Sequence, residues 1–176
     1  PELERDACGV GMVANITGVR SHEIIDQALE VLVNLGHRGA TGADPLTGDG
    51  AGITIQMPDA FMREVAAKEG FELPAERRFG VAMCFLPVDD GLNAAACASL
   101  ESAATDNGMT VLGWREVPID PSVIGVTARA IMPKISQLFV SAPAGVEGDD
   151  LERILYLARK TAEKNFIDGE TDPETK

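Results

Sequence analysis

Apolar positions change their period several times along the chain, and each change predicts an element. Gly9-Val10-Gly11-Met12-Val13-Ala14-Asn15-Ile16 reads as a short buried strand ended by Thr17-Gly18. From Ser21 the spacing becomes helical, with Ile25, Ala28, Leu29, Leu32 and Leu35 on one face, Ser21 placed to cap the start and Gly36 to stop it. A polar, glycine-dense connection from His37 to Gly52 leads into a second strand at Ile53 to Met57. Asp59 is placed to cap a short helix carrying Phe61, Met62 and Val65, which Gly70 ends.

The middle of the chain has another texture. Phe79 to Leu86 reads as a strand, with Val81, Met83 and Phe85 expected on one face and Ala82, Cys84 and Leu86 on the other. Leu92 to Asn107 is an alanine-rich helix closed by Gly108, and Met109 to Val117 is the next strand. Ile131 to Val140 contains Pro133, which predicts an edge strand or a bent one. A last helix over about 151–166 buries Leu151, Ile154, Leu155, Ala158 and Ala162. Asp149 and Asp150 sit at its start, and Arg159, Lys160 and Lys164 toward its end, which suits the helix dipole. After Asp168 the chain reads as an exposed tail. The pattern gives an α+β protein in which residues 79–166 form a β-α-β-β-α lobe with two helices on one face of a small sheet.

Composition narrows the class. An apolar content of 45% with 24% charged residues belongs to a globular chain. The formal net charge of −13 argues against nucleic acid and against an anionic membrane surface, since both need a basic face. No apolar run approaches the ~20 residues of a membrane span, and the charged start from Pro1 to Asp6 has no signal-peptide character. The three cysteines, Cys8, Cys84 and Cys97, fit neither a metal spacing nor a disulfide framework, so a cytoplasmic setting is expected.

Two places could carry chemistry. Cys8 stands beside a Gly-Val-Gly run that leaves room for a substrate to approach, although for Cys8 taken alone core packing is the better reading. Cys84 and Cys97 lie within apolar stretches and read as core. The second place is His37-Arg38-Gly39-Ala40 followed by Thr47-Gly48-Asp49-Gly50-Ala51-Gly52. These glycines make a poor phosphate cradle, because no lysine follows and they precede a strand instead of opening a helix. The plain reading is a turn-rich connection in which Asp44 and Asp49 bond their own backbone, with Arg38 a surface charge.

Taken together and in order, Cys8-Gly9-Val10-Gly11, His37-Arg38-Gly39, Asp44 and Gly48-Asp49-Gly50-Ala51-Gly52 resemble the start of class II glutamine amidotransferases. Glu4-Arg5-Asp6-Ala7-Cys8-Gly9-Val10-Gly11 is similar to the propeptide junction of the glutamate synthase large chain. Leu112-Gly113-Trp114-Arg115-Glu116-Val117-Pro118 and the run from Glu152 to Lys160 are similar to later stretches of the same domain. The resemblance implies an N-terminal-nucleophile hydrolase fold, a layered sandwich of stacked antiparallel sheets between helices. It implies a domain of two parts: residues 1–78, which bear the nucleophile and a propeptide remnant at 1–7, and an inserted lobe at 79–166, with 167–176 a flexible tail. Cys8 is then the nucleophile once residues 1–7 are removed. Arg38 shapes the surroundings of Cys8, Gly39 allows close backbone approach, and Asp49 and Gly50 form the turn that brings the second strand beside the first.

The resemblance also implies parts that are missing here. The family's glutamine-binding arginine followed by Ser/Thr, its Asn-Gly oxyanion pair and its amine-binding aspartate have no match after Cys8. The one Asn-Gly, Asn107-Gly108, ends a helix and reads as a C-cap. The chain is therefore expected to be an unprocessed fragment, inactive alone, that takes glutamine as substrate and the remainder of a glutamate synthase chain as partner. It holds no cofactor in this reading, FMN and an iron–sulfur cluster belonging to the absent synthase part. The alternative is a non-catalytic binding or regulatory module that keeps the amidotransferase fold. A redox-sensor role for Cys8 is weaker, because no basic group adjoins it to lower its pKa.

Overall fold

The computed structural model describes residues 9–170, with side chains as far as Asn165. In chain order the elements are α1 (Glu23–Asn34), a 3₁₀ turn (Gly36–Arg38), α2 (Asp59–Lys68), β1 (Phe79–Leu86), α3 (Asp90–Asp106), β2 (Thr110–Glu116), a 3₁₀ turn (Pro121–Val123), α4 (Val126–Ala130), β3 (Lys134–Ser141) and α5 (Asp149–Glu170). The protein is α+β, and the described residues form one three-stranded antiparallel sheet in the order β1-β3-β2. It divides into two compact units. The first holds the chain up to Met57 together with Asp120–Met132, and the second holds Pro58–Ile119 and the chain from Pro133 onward. Thus α2 belongs with the sheet, ahead of the expected boundary at 79, and the connection from β2 to β3 lends α4 to the first unit.

In the second unit, strand alternation sorts the apolar residues onto two faces. Cys84, Leu86, Leu138 and Val140 are buried with Ala96 and Ala104 of α3 and Leu151 and Ala158 of α5. Phe79 and Phe139 are buried on the other side with Met62, Val65 and Ala66 of α2 and with Leu73. The alanines let the two long helices approach the sheet closely, and Gly80 serves the same end: a Cβ there would stand 2.5 Å from Leu155. Val81 joins the α2 face, while Met83 and Phe85 are exposed.

Several elements depart from their sequence reading. β3 is the central strand, not an edge. Pro133 lies one residue before it, so its missing N–H costs the ladder nothing. α3 ends as read, with Gly108 at φ +78° and Met109 N–H donating to the Ala104 carbonyl, so Asn107-Gly108 is a helix cap. Its start lies earlier than read, because Asp89 accepts from Leu92 N–H. α5 runs on to Glu170, which leaves Arg159, Lys160 and Lys164 short of its last turn.

In the first unit the two expected strands are absent. Neither Gly9–Ile16 nor Ile53–Met57 pairs with any strand among the described residues. Gly11 instead lies against Val31 of α1, and Val10, Met12 and Ile16 face outward at 91%, 90% and 100% exposure. Period-two patterning equips a segment for a sheet, but without a ladder partner its backbone groups stay with water. The turn at Asn15–Gly18 is present, with Gly18 at φ +71°. Ser21 is displaced from the cap position by one residue, but its hydroxyl still accepts from Glu23 N–H. Asp59 is no cap: its carboxylate accepts from Nε and Nη2 along one edge of the Arg63 guanidinium, which also donates to the Leu73 and Pro74 carbonyls.

Candidate functional site

Cys8 lies outside the described residues, and its role is approached through its neighbour. Gly9 rests against the 3₁₀ turn that follows α1. A Cβ on Gly9 would come within 3.1 Å of Leu35 Cδ2 and 3.3 Å of Arg38 Cγ. Arg38 ends that turn, its N–H donating to the Leu35 carbonyl. The apolar face of α1 thus presents Val31 and Leu35 to the Gly9–Gly11 segment and Arg38 follows one turn on, so helical spacing brings Arg38 beside the residue next to Cys8.

Beyond Arg38 the chain forms a small hairpin. Ala40 and Asp49 bind each other twice at its base: Asp49 N–H donates to the Ala40 carbonyl at 3.0 Å, and Ala40 N–H to Asp49 Oδ2 at 2.9 Å. Thr41 and Gly48 bridge above them, and Gly48 has to be glycine, since a Cβ would stand 2.6 Å from the Ala40 oxygen. The tip is a turn from Asp44 to Thr47, closed by Thr47 N–H on the Asp44 carbonyl at 2.9 Å.

The Asp44 carboxylate accepts from Thr47 Oγ1 at 2.8 Å and from Leu46 N–H at 3.2 Å. It also reaches the first turn of α4, accepting from Thr127 N–H at 3.3 Å, while Thr47 Oγ1 accepts from Ala128 N–H at the same distance. These donors, the Thr47 hydroxyl foremost, hold the Asp44 carboxyl below its ordinary pKa.

The expected site residues fare unequally. Arg38 lies beside Gly9 and Asp49 closes the hairpin that follows, so these come together in one unit. Gly39 takes an extended backbone (φ −81°, ψ 149°), and among the described residues a Cβ there would make only an ordinary contact with the Gly36 carbonyl. Gly50 stands in open space. Asp49 and Gly50 do not turn one strand beside another, because the strands are absent, and Asp49 instead fastens the hairpin base. Residues 50–58 open no helix on the glycine run, so the phosphate-cradle reading has no support. What the sequence did not disclose is the reach of Asp44 and Thr47 to α4, whose partners lie 83 and 81 residues away.

The two other thiols are poorly suited to nucleophilic work. Burial pushes Cys84 up in pKa, and burial together with the nearby Glu101 carboxylate does the same to Cys97. Among the described residues no cluster of His, Cys, Asp and Glu could hold a metal ion, and no helix is long and apolar enough to cross a membrane.

A family model of class II glutamine amidotransferases matches residues 8–175, so the matched region opens on Cys8. The chain belongs to the class II glutamine amidotransferases. It is 39% identical over 165 residues to the ferredoxin-dependent glutamate synthase 2 of Synechocystis sp., which covers 94% of this chain and 11% of that protein. It is 39% identical over 164 residues to the glutamate synthase [NADPH] large chain of Bacillus subtilis, covering 93% and 11%. With the ferredoxin-dependent glutamate synthase 1 of Arabidopsis thaliana it shares 42% over 162 residues, covering 92% and 10%. The chain thus spans about a tenth of the length of these relatives.

Proposed function

We propose that this chain is the amino-terminal part of the glutaminase domain of a glutamate synthase, and that Cys8 is its nucleophile. One observation carries the reading: the amidotransferase match opens on Cys8, and Gly9, its immediate neighbour, lies against Arg38. The layered N-terminal-nucleophile sandwich is the fold we assign to the completed domain, and the cytoplasm its setting.

The chemistry follows from position. Once residues 1–7 are removed, Cys8 carries a free α-amino group with a pKa near ~8, able to take the thiol proton near neutral pH. While Ala7 is joined by an amide, that base does not exist. The thiolate attacks the side-chain amide carbon of glutamine, ammonia leaves with the transferred proton, and water hydrolyses the thioester to glutamate. Arg38 sets the surroundings of the thiolate, and the hairpin closed by Asp49 holds Arg38 and Gly39. Glutamine is the substrate in this reading, and the remaining synthase polypeptide the partner that consumes the ammonia. FMN and the iron–sulfur cluster belong to that remainder.

The test is ammonia release from glutamine by four chains: the 176-residue protein, the same protein beginning at Cys8, a longer chain carrying the downstream residues, and that longer chain with Cys8→Ala. The first two are expected to be inactive, because a free amine supplies only the base. Each missing oxyanion donor forgoes about 2.7–4 kcal/mol of transition-state stabilisation. The longer chain is expected to be active and Cys8→Ala to abolish its activity. Ammonia release by the 176-residue protein, lost on Cys8→Ala, would show that it already holds a complete site. Activity that survives Cys8→Ala in the longer chain would remove Cys8 from the mechanism.

A further inference from the structure

We propose that Asp44 and Thr47 are positioning residues, which act by fastening the tip of the Ala40–Asp49 hairpin to α4 and so fix Arg38 and Gly39 at its base. The inference rests on the site reading above but not on glutamine chemistry for its test.

The geometry is that of a helix cap supplied from a distant part of the chain. α4 is five residues long, and its cap residue, Gly125, has no side chain to offer its first N–H groups. The hairpin tip takes that part. Gly125 N–H donates to the Leu46 carbonyl at 2.9 Å, Thr127 N–H to Asp44 Oδ2 and Ala128 N–H to Thr47 Oγ1. Three amides that the helix itself leaves without a partner are thus met by three groups of one turn. The close fit is visible from the other side, since a Cβ on Gly125 would collide with both the Asp44 carboxylate and the Thr47 hydroxyl.

Each element is too small to persist alone. A five-residue helix does not repay its nucleation cost in water, and a hairpin whose strands are reduced to one bridge has few bonds of its own. Bound together, they share their order. The tip bonds hold the turn, the Gly42 N–H to Thr47 carbonyl bond and the Thr41/Gly48 bridge carry that order down the hairpin, and the paired Ala40 and Asp49 deliver it to Gly39 and Arg38. A carboxylate 83 residues from its helical partner therefore acts on the surroundings of Arg38 without touching it.

Hydrogen exchange read by mass spectrometry on the 176-residue protein tests this. Asp44→Ala should raise exchange about fivefold both in peptides covering 126–130 and in peptides covering 38–49, as expected for the loss of a cap. Asp44→Asn should restore most of the protection, because asparagine caps as well as aspartate. Amides of β1 and β3 serve as the internal reference and should not change. Gly125→Ala should reproduce the effect of Asp44→Ala from the helix side, which keeps the test decisive should Asp44→Ala unfold the chain. Unchanged exchange at 126–130 in both variants would overturn the cap. Faster exchange at 126–130 with 38–42 unaffected would overturn the positioning role. Neither result bears on whether the longer chain releases ammonia, so the two readings can fail separately.

Discussion

Replacing Phe139 by alanine probes the arrangement on which the second unit depends. Phe139 is the one large side chain fully buried among the described residues, at 0% exposure on the central strand. It meets Phe71 edge-to-face, with ring centroids 5.2 Å apart at 62°, and lies among Met62, Val65, Ala66, Leu73 and Phe79. Such a truncation costs about 3–5 kcal/mol, the removed apolar surface and the cavity both counting. Against a total stability of about 5–15 kcal/mol for a domain, that is a large share. With a urea slope of about 2 kcal/mol per molar, the unfolding midpoint should fall by roughly 2 M. The sequence has a single tryptophan, Trp114. It sits on β2 with its indole N–H donating to Glu101 at 2.6 Å, so its fluorescence follows the second unit alone. A double-mutant cycle with Phe71→Leu should return about 0.5–1.5 kcal/mol of coupling for the ring pair. A midpoint shift below about 0.3 M for Phe139→Ala would mean the site collapses without cost or is not buried, and the two-faced packing of the sheet would have to be given up.

Two further outcomes follow from the same unit. Gly80→Ala should destabilise it by about 1–3 kcal/mol in the same assay, because the new Cβ meets Leu155 Cδ2 at 2.5 Å and the Leu155 side chain must leave its place against β1. Alkylation by iodoacetamide should reach Cys84 and Cys97 slowly in the folded protein, since raised pKa values leave less thiolate at a given pH, and their rates should keep rising with pH beyond the range where a free thiol has levelled off. Peptide mass spectrometry assigns the two sites, and rapid labelling of folded Cys84 at neutral pH would contradict its burial.

Legibility in the sequence follows the range of the forces involved. β1 has the bounds that its alternation predicts, Phe79–Leu86, and α3 ends where Gly108 supplies the positive φ that a helix cap needs. Both signals are local. Pro133 misled because a proline marks a lost N–H without saying whether the residue lies inside the ladder or one step before it. Gly9–Ile16 and Ile53–Met57 misled for a longer-range reason: alternation shows that a segment could lie in a sheet, while pairing depends on another segment being present. In the candidate site, the Arg38-to-Asp49 run was recognisable as a turn-rich connection from its glycines and aspartates. The cap that Asp44 lends to α4 was not, because nothing near Thr127 and Ala128 in sequence marks them as its donors.

The two misread segments bear on the proposed function. Val10, Met12 and Ile16 would fall on one face of a strand, as would Ile53, Ile55 and Met57. Of these, Val10, Met12 and Ile16 are almost wholly exposed, and Ile55 and Met57 are well exposed. A fully exposed side chain of this kind forgoes about 1.5–3 kcal/mol of burial. Two such stripes in one small unit are a heavy load, where scattered single residues would need no explanation. On β1 of the second unit, Phe79 and Val81 pack on the α2 side while Met83 and Phe85 are exposed at 51% and 68%, so that stripe is covered only in part. The near-complete exposure of Val10, Met12 and Ile16 fits the proposed reading, in which further polypeptide completes the first unit of a chain about a tenth as long as its relatives. Arg38 and the hairpin are held by a 3₁₀ turn, two paired residues and the cap that the hairpin lends to distant α4, and none of these bonds requires a partner strand.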